Sequence, residues 1–268
     1  MLFLGMLWYA LDTEHRKTAE ANIRLALRVS QEEARRLTRQ NFQHLVRVFS
    51  EFPRMTRMSR ENFRQFVDPR GEEHLMRSLK RGRGVLILTA HLGNWEWMAY
   101  CAPFFLPARL HIVARPLRPR ILNQWVTTVR QRSGNRVIPK QRALLHALKA
   151  LKRNEMVGFL LDQNAGKKTG IWAPFFGMEV LTHKTLAHIA LRTGAPVHPV
   201  FNHRLADGRY QIDIGPEIPT PQHGTLNDKA AAFTAAFNRI LEDQIRQYPD
   251  QWYWVHRRFR RFRAQRSF

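Results

Sequence analysis

The residues with the clearest chemical potential are His91 and Glu96, which bound the segment His-Leu-Gly-Asn-Trp-Glu. An imidazole that follows a buried strand can act as a general base. A carboxylate on its other nitrogen would fix the tautomer and stabilise the protonated ring. Side chains at this separation do not share a face of a regular helix. The pairing therefore needs His91 in a loop and Glu96 in the first turns of a helix, with Gly93 permitting the tight turn.

This spacing alone is weak evidence for catalysis, because the chain has 12 histidines and chance spacings are expected. For an isolated motif, an ordinary strand-end histidine and a solvated helix glutamate would be the better interpretation. The motif gains weight only from the segments around it.

From residue 72 onward, the segments that must position these side chains alternate between buried strands and helices. Strands are predicted at 85–90, 109–114, 156–161, 197–201 and 210–214, from short apolar or alternating runs. Helices are predicted at 72–80, 120–131, 143–151 and 226–247, and a further one starting at Thr182 and carrying His183 and His188 as structural or surface residues. This rhythm predicts an α/β fold, with a mostly parallel central sheet flanked by helices and a helical N-terminal segment.

In open sheets of this kind, ligands bind beyond the carboxyl ends of the strands. The loops starting at His91, Arg115, Asp162 and His203 all follow predicted strands. We therefore expect these four side chains near one edge of the sheet.

Two parts of one integrated domain are expected: a helical N-terminal segment over 1–70 and an α/β core over 71–268 with a basic aromatic tail. Ser30 and Glu33 have the spacing of a capping box for a helix that ends before Pro53. The first 11 residues are wholly apolar, short of the about 20 that span a bilayer. A buried helix, an interfacial anchor and a remnant of a longer membrane helix all fit, and the interfacial anchor is favoured.

The charge and the cysteine content limit which partners and metal sites are expected. Lys and Arg number 44 against 21 acidic residues, a formal charge of +23 that attracts anionic lipids, nucleic acid or an acidic protein. Cys101, the single cysteine, excludes a disulfide or a thiolate zinc cluster within the chain and is interpreted as packing. With no dense ligand cluster, no metal and no cofactor are predicted.

At the level of motifs, the segment TAHLGNWEWMA resembles the first motif of the bacterial lipid A late acyltransferases. That group lies within the lysophospholipid and glycerolipid acyltransferase superfamily, marked by a His and an acidic residue with four residues between them. Later segments are similar to the group's further motifs and closing signature, in order: 113–116, 161–166 with 172–177, 193–200 and 249–259. The likeness runs from about residue 15 to residue 261.

The resemblance implies an O-acyltransferase that moves a fatty acyl group from an acyl carrier protein thioester, or acyl-CoA, to a hydroxyl of a lipid A precursor or related glycolipid. His91 would be the base and Glu96 would orient it. Oxyanion donors would come from Asn94, backbone N–H groups near Gly93, or Arg115, which could instead hold a phosphate. Asp162 could cap a turn, support the catalytic pair from behind, or bind the acceptor. Phe175 and Phe176 could pack the loop or line a groove for the acyl chain.

The alternatives are an acyltransferase for lysophospholipids or other glycolipids, and a non-enzymatic basic module that binds membranes or nucleic acid. Charge is scattered along the chain and no recognised nucleic-acid motif occurs, so no nucleic acid partner is expected. The tail, 256–268, interleaves Arg and Phe and is predicted to bind anionic headgroups or an acidic carrier protein. The expected location is the cytoplasmic face of the bacterial inner membrane, peripheral or N-terminally anchored.

Overall fold

The structure, a computed structural model, describes residues 2–140, 143–260 and 262–264. Its helices are α1 (Leu2–Leu11), α2 (Thr13–Leu27), α3 (Gln31–Glu51), α4 (Glu72–Leu79), α5 (Trp95–Phe105), α6 (Arg120–Gln131), α7 (Ala143–Lys152), α8 (Thr185–Thr193) and α9 (Leu226–Gln247). Its strands are β1 (Val67–Arg70), β2 (Val85–Thr89), β3 (Leu110–Ala114), β4 (Arg136–Pro139), β5 (Met156–Leu160), β6 (Gly170–Phe175), β7 (Met178–His183), β8 (Val197–Arg204), β9 (Tyr210–Ile214) and β10 (Phe262–Ala264). Short 3-10 helices cover Phe52–Arg57 and Phe63–Gln65.

The central sheet has seven strands in the order β1-β9-β8-β2-β5-β3-β4, and all neighbours are parallel except β8 and β9. The predicted α/β class with a mostly parallel sheet is confirmed. Leu86 and Leu88 of β2 enter one apolar cluster, and Val85 and Ile87 enter a second. Both faces of the sheet are therefore covered, which explains why β2 reads as a continuous apolar run.

A second sheet joins β6, β7 and β10 in antiparallel order. The segment 172–176, for which loop packing was one interpretation, lies in and directly after β6. His183 was wrongly placed on a helix from Thr182, because both residues pair with β6 and α8 begins only at Thr185. His203 was also misplaced: it lies inside β8, opposite Gln211, and not in a loop.

The N-terminal helices pack on the core. As predicted, α3 begins after Ser30, whose Oγ accepts a hydrogen bond from the N–H of Glu33 at 3.1 Å. Ile23 of α2 and Phe42 of α3 belong to the same buried cluster as β2 and β5. Helix α1 rests on α3 through Trp8, whose ring centroid is 4.7 Å from that of Phe42. No helix within the described ranges has the length and hydropathy needed to cross a bilayer.

Candidate active site

The register of two neighbouring strands brings His91 and Asp162 together. Strands β2 and β5 are parallel, with Thr89 opposite Leu160 at their carboxyl ends. The N–H of Leu161 donates to the carbonyl of Thr89 at 3.0 Å, so the pairing extends one step past the strands. At the same offset, His91 stands opposite Asp162.

Asp162 accepts three hydrogen bonds from this arrangement. Oδ1 lies 2.9 Å from Nδ1 of His91, and Oδ2 accepts from the His91 backbone N–H at 2.9 Å. The indole Nε1–H of Trp252 donates to the same Oδ2 at 2.8 Å. With a carboxylate on Nδ1, that nitrogen carries the hydrogen and Nε2 is left to act as a base.

Asp162 is ionised in this setting. Its side chain is 2% exposed, and burial alone would raise its pKa. The charge of His91 and the hydrogen bonds from His91 and Trp252 outweigh burial and lower the pKa to about 2. The His91 side chain is 20% exposed, so the pair combines a sealed carboxylate with an accessible imidazole.

Glu96 lies in the first turn of α5, as expected, but its hydrogen bonds go elsewhere. Its two oxygens accept from Nε and Nη2 of Arg130 at 2.9 and 2.5 Å, and Oε1 also accepts from the indole of Trp95 at 3.2 Å. The carboxylate on Nδ1 of His91 is Asp162 and not Glu96, because strand register places Asp162 there. Burial alone would lower the pKa of Arg130, but Glu96 reverses this and raises it. Glu96 and His91 still line the same cavity.

Asn94 and Gly93 make hydrogen bonds within the turn and the elements behind it. Asn94 Oδ1 caps α5 by accepting from the N–H of Trp97 at 3.0 Å, and its Nδ2 donates to Glu51 at 3.0 Å. The side chain is fully buried and its Nδ2 already donates to Glu51, which disfavours the predicted role as an oxyanion donor. Gly93 has φ +58°, and its N–H donates to the carbonyl of Gln251 at 3.2 Å. That N–H is therefore also committed within the protein.

A buried polar cluster behind the turn was not predicted. Glu51 at the end of α3 accepts from Asn94, from the hydroxyl of Tyr210 at 2.9 Å and from Arg204 at 2.5 Å. Asn202 Nδ2 donates to the Asn94 carbonyl at 2.7 Å. The cluster holds the start of α5 to β8 and β9. Its members lie far apart in the chain, so only the Asn94 cap had a local sequence signal.

The segment 249–259 packs behind the His91 turn. Trp252 pairs with Leu92 in a β-bridge, and the N–H of Tyr253 donates to the His91 carbonyl at 3.0 Å. Arg258, predicted to bind headgroups, is instead fully buried, and burial lowers its pKa to about 10. It donates to the carbonyls of Gln163 and Leu181 and to the hydroxyl of Thr182. Within the tail, residues 261 and 265–268 lie outside the described residues.

Phe175 and Phe176 belong to the core, which favours packing over an acyl groove. Both are buried, and Phe175 stacks on Phe259 with ring centroids 5.8 Å apart. The guanidiniums of Arg258 and Arg246 lie 4.8 Å from the ring centroids of Phe175 and Phe176. Neither ring is among the described residues that line the cavity shared by His91 and Glu96.

A cavity of about 600 Å³ opens at His91. Apolar side chains dominate its wall and come from α4, α5 and the sheet, including Leu75, Met98, Leu106, Leu110, Phe159 and Ile212. Several of them belong to the second apolar cluster, so the cavity reaches from the strand ends into the core. This volume and apolar lining fit a hydrocarbon chain with a few polar groups at its reactive end.

Three basic side chains, Arg115, Arg130 and Lys140, are among the polar residues of the cavity wall. Arg115 follows β3, is exposed, and has no carboxylate partner among the described residues. Lys140 Nζ lies 3.2 Å from Nε2 of His183. Burial, then the charge of Lys140, lowers the pKa of His183 to about 4, so this imidazole is neutral and accepts from the lysine. Arg115 and Lys140 thus present positive charge to the cavity that His91 also lines.

Two further observations concern possible metal ligands and the single cysteine. Within the described ranges, no three His, Cys, Asp or Glu side chains converge as a metal-ligand set. Cys101 is buried in α5, and burial raises the pKa of its thiol, in line with packing.

The sequence is similar to proteins of known activity. A family profile described as bacterial lipid A biosynthesis acyltransferase matches residues 1–261. The lipid A biosynthesis palmitoleoyltransferase of Escherichia coli is 29% identical over 237 residues, covering 86% of this chain and 74% of that protein. The lipid A biosynthesis lauroyltransferase of Escherichia coli is 26% identical over 261 residues, covering 96% and 83%. A phosphatidylinositol mannoside acyltransferase of Mycobacterium tuberculosis is 27% identical over 191 residues, covering 68% and 57%.

Proposed function

The chain belongs to the bacterial lipid A biosynthesis acyltransferase family and is an O-acyltransferase, and we propose that it acylates a hydroxyl of a lipid A precursor from a thioester donor. The observation that carries this proposal is the hydrogen-bonded pair of His91 and Asp162 at the mouth of an apolar cavity. The cavity would hold the acyl chain and leave the thioester carbonyl beside Nε2.

The reaction runs in two proton transfers. Nε2 of His91 removes the proton of the acceptor hydroxyl as its oxygen attacks the thioester carbonyl. The tetrahedral intermediate collapses with cleavage of the C–S bond, and the imidazolium returns the proton to the departing thiolate. An ester C–O bond replaces the thioester bond, with no net change in protonation of the enzyme. Asp162 stabilises the imidazolium between the two transfers.

We assign the orienting role first predicted for Glu96 to Asp162, on the hydrogen bond to Nδ1. Glu96 keeps a role at the cavity wall, where it fixes the guanidinium of Arg130 through two hydrogen bonds. Because Asn94 and the Gly93 N–H are committed elsewhere, we assign stabilisation of the oxyanion to Arg130. A donor held in place before the reaction loses no energy in reorganisation.

Arg115 is proposed to hold a phosphate of the donor or the acceptor. It is exposed and forms no ion pair with a described carboxylate. The pKa of Lys140 is lowered, first by burial and then by the charge of Arg115, so the two basic groups lie near each other. Both acyl carrier protein and acyl-CoA carry phosphate near the thioester arm, and guanidinium binds phosphate in bidentate fashion. Arg115→Ala should raise KM for the donor far more than it lowers kcat.

The site of action is proposed as the cytoplasmic face of the inner membrane, where donor and acceptor would meet. The net positive charge of the chain and the exposed apolar side chains of α1, such as Phe3 and Leu4, support peripheral attachment. The similarity to phosphatidylinositol mannoside acyltransferase supports one alternative acceptor, a phosphoinositol glycolipid.

The proposal is tested with the purified full chain, acylated carrier protein and a purified lipid A precursor. Mass spectrometry should show a product heavier by one acyl chain, and His91→Ala should abolish it while thermal unfolding stays normal. Parallel reactions with acyl-CoA and with a phosphoinositol mannoside separate the alternatives. Full activity of His91→Ala, or acylation of none of these acceptors, would overturn the assignment.

A further inference from the structure

Helix α6 turns an apolar face to the solvent. Ile121 is 75% exposed, Trp125 46% and Leu122 41%, whereas Val126 and Val129, further along the same apolar stripe, are buried. These three residues recur at the spacing of one helix face. Apolar clusters of this kind on a protein surface mark a binding site.

This face is continuous with the exposed side of α1. The ring centroid of Trp125 lies 5.3 Å from that of Phe52, which follows Phe49 by one turn at the end of α3. Phe49 is exposed, and its centroid is 6.1 Å from that of Trp8 in α1. Exposed apolar side chains then continue along α1 at Phe3, Leu4, Met6 and Leu7. We call this surface, from α1 through Phe49 and Phe52 to α6, the apolar band.

The apolar band ends at the cavity that holds His91. Leu117, directly before the cis Arg118–Pro119 peptide that precedes α6, is exposed and also lines the cavity. Leu144 on α7 is likewise exposed and lines it. Exposed apolar side chains therefore lie both on α6 and at the opening through which a lipid would enter, with Arg118 and Arg120 between Leu117 and Ile121.

Basic residues flank the apolar band. Arg54 and Arg57 share a 3-10 helix with Phe52, and Arg118 and Arg120 precede Ile121. All four are exposed, and none forms an ion pair with a described carboxylate. Helices α1 and α6 contain no acidic residue. Exposed aromatic and aliphatic side chains flanked by arginine match the interfacial region of an anionic bilayer.

We propose that α6 inserts its Ile121, Leu122 and Trp125 face into the anionic bilayer surface, with α1 as the second contact, and thereby seats the opening of the cavity at the level of the lipid headgroups. The acceptor would then enter sideways past Leu117 without leaving the membrane. Delivery of the acceptor rests on the proposed function, whereas the binding of α6 to the bilayer does not.

The test is binding of the full chain to vesicles of phosphatidylethanolamine and phosphatidylglycerol, measured by co-sedimentation without any acyl donor. Ile121→Glu removes a large exposed side chain from the bilayer and adds a repelled charge, so the partition coefficient should fall roughly tenfold or more. Leu226→Glu, an exposed position at the start of α9, is the matched control and should bind as the unmodified chain does. Vesicles of neutral phosphatidylcholine should bind the unmodified chain several-fold more weakly.

A second measurement locates Trp125 directly. Lipids brominated in the acyl chain should quench part of the tryptophan fluorescence, and Trp125→Phe should remove most of that quenched part. Unchanged vesicle binding by Ile121→Glu, or equal quenching with and without Trp125, would overturn the proposal. A face that binds protein instead would leave vesicle binding intact and change the oligomeric state or the affinity for carrier protein. Because binding is measured without turnover, inactive protein that still binds through α6 would refute only the proposed function.

Discussion

Replacing Asp162 by Asn is the sharpest perturbation of the site, because it keeps the size of the side chain and removes only its charge. Asp162 accepts three hydrogen bonds, from the backbone and Nδ1 of His91 and from Trp252. Asparagine offers one acceptor oxygen and one amino group, so at least one donor would face another donor. His91 would lose its fixed tautomer and its support as an imidazolium.

Two magnitudes follow for Asp162→Asn. Loss of the orienting carboxylate should lower kcat by about 10²–10⁴-fold, as in other His–Asp pairs. The pKa of Asp162 falls from its usual 3.8 to about 2, which corresponds to roughly 2–3 kcal/mol of stability at neutral pH. Since the folded-state pKa lies below the unfolded one, this contribution is complete above about pH 4 and is lost as the pH falls towards 2.

The assay pairs initial rates of acyl transfer with urea unfolding of the same preparations at pH 7 and at pH 3. The substitution should lower both the rate and the stability at pH 7, and the stability difference should narrow at pH 3. A rate within a few-fold of the unmodified enzyme would refute the assignment of Asp162. A loss of rate that tracks only the unfolded fraction would refute it equally.

Three further outcomes are expected. Glu96→Gln should lower kcat by about tenfold, which is less than Asp162→Asn does. The hydrogen bond from His91 Nδ1 to Asp162 remains, but the carboxylate that fixes the Arg130 guanidinium is lost. A larger loss than for Asp162→Asn would favour the pairing of His91 with Glu96. Gly93→Ala should lower the melting temperature strongly, since the added Cβ would lie 2.3 Å from a backbone oxygen, whereas Gly82→Ala, also at positive φ but in open space, should cost only about 1 kcal/mol. Glu51→Ala should destabilise the fold by roughly 3 kcal/mol in urea unfolding, because it strands a part-buried arginine and a buried tyrosine hydroxyl; a change under 1 kcal/mol would contradict that account.

Much of the frame follows from local sequence. A strand of five buried residues leads into His91 because the run from Val85 to Thr89 is continuously apolar, and such runs are buried on both faces. The helix from Arg120 to Gln131 was predicted to the residue by its periodicity. The Asn94 cap could also have been predicted, since asparagine before a helix accepts from the third N–H beyond it.

The alternation of strands and helices, the loop positions of His91 and Asp162, and the family motifs could all be predicted from the sequence, because each depends on neighbouring residues. Which carboxylate contacts the imidazole depends on the folded chain. That choice depends on the parallel register of β2 and β5, strands separated by 71 positions at His91 and Asp162, and Glu96 is drawn instead to Arg130 on α6. The role of Arg258 also depends on the folded chain. It lies in the predicted tail, but its side chain is fully buried and donates a hydrogen bond to the carbonyl of Gln163, next to Asp162. Long-range pairing and enclosure are properties of the packed chain, and no local pattern encodes them.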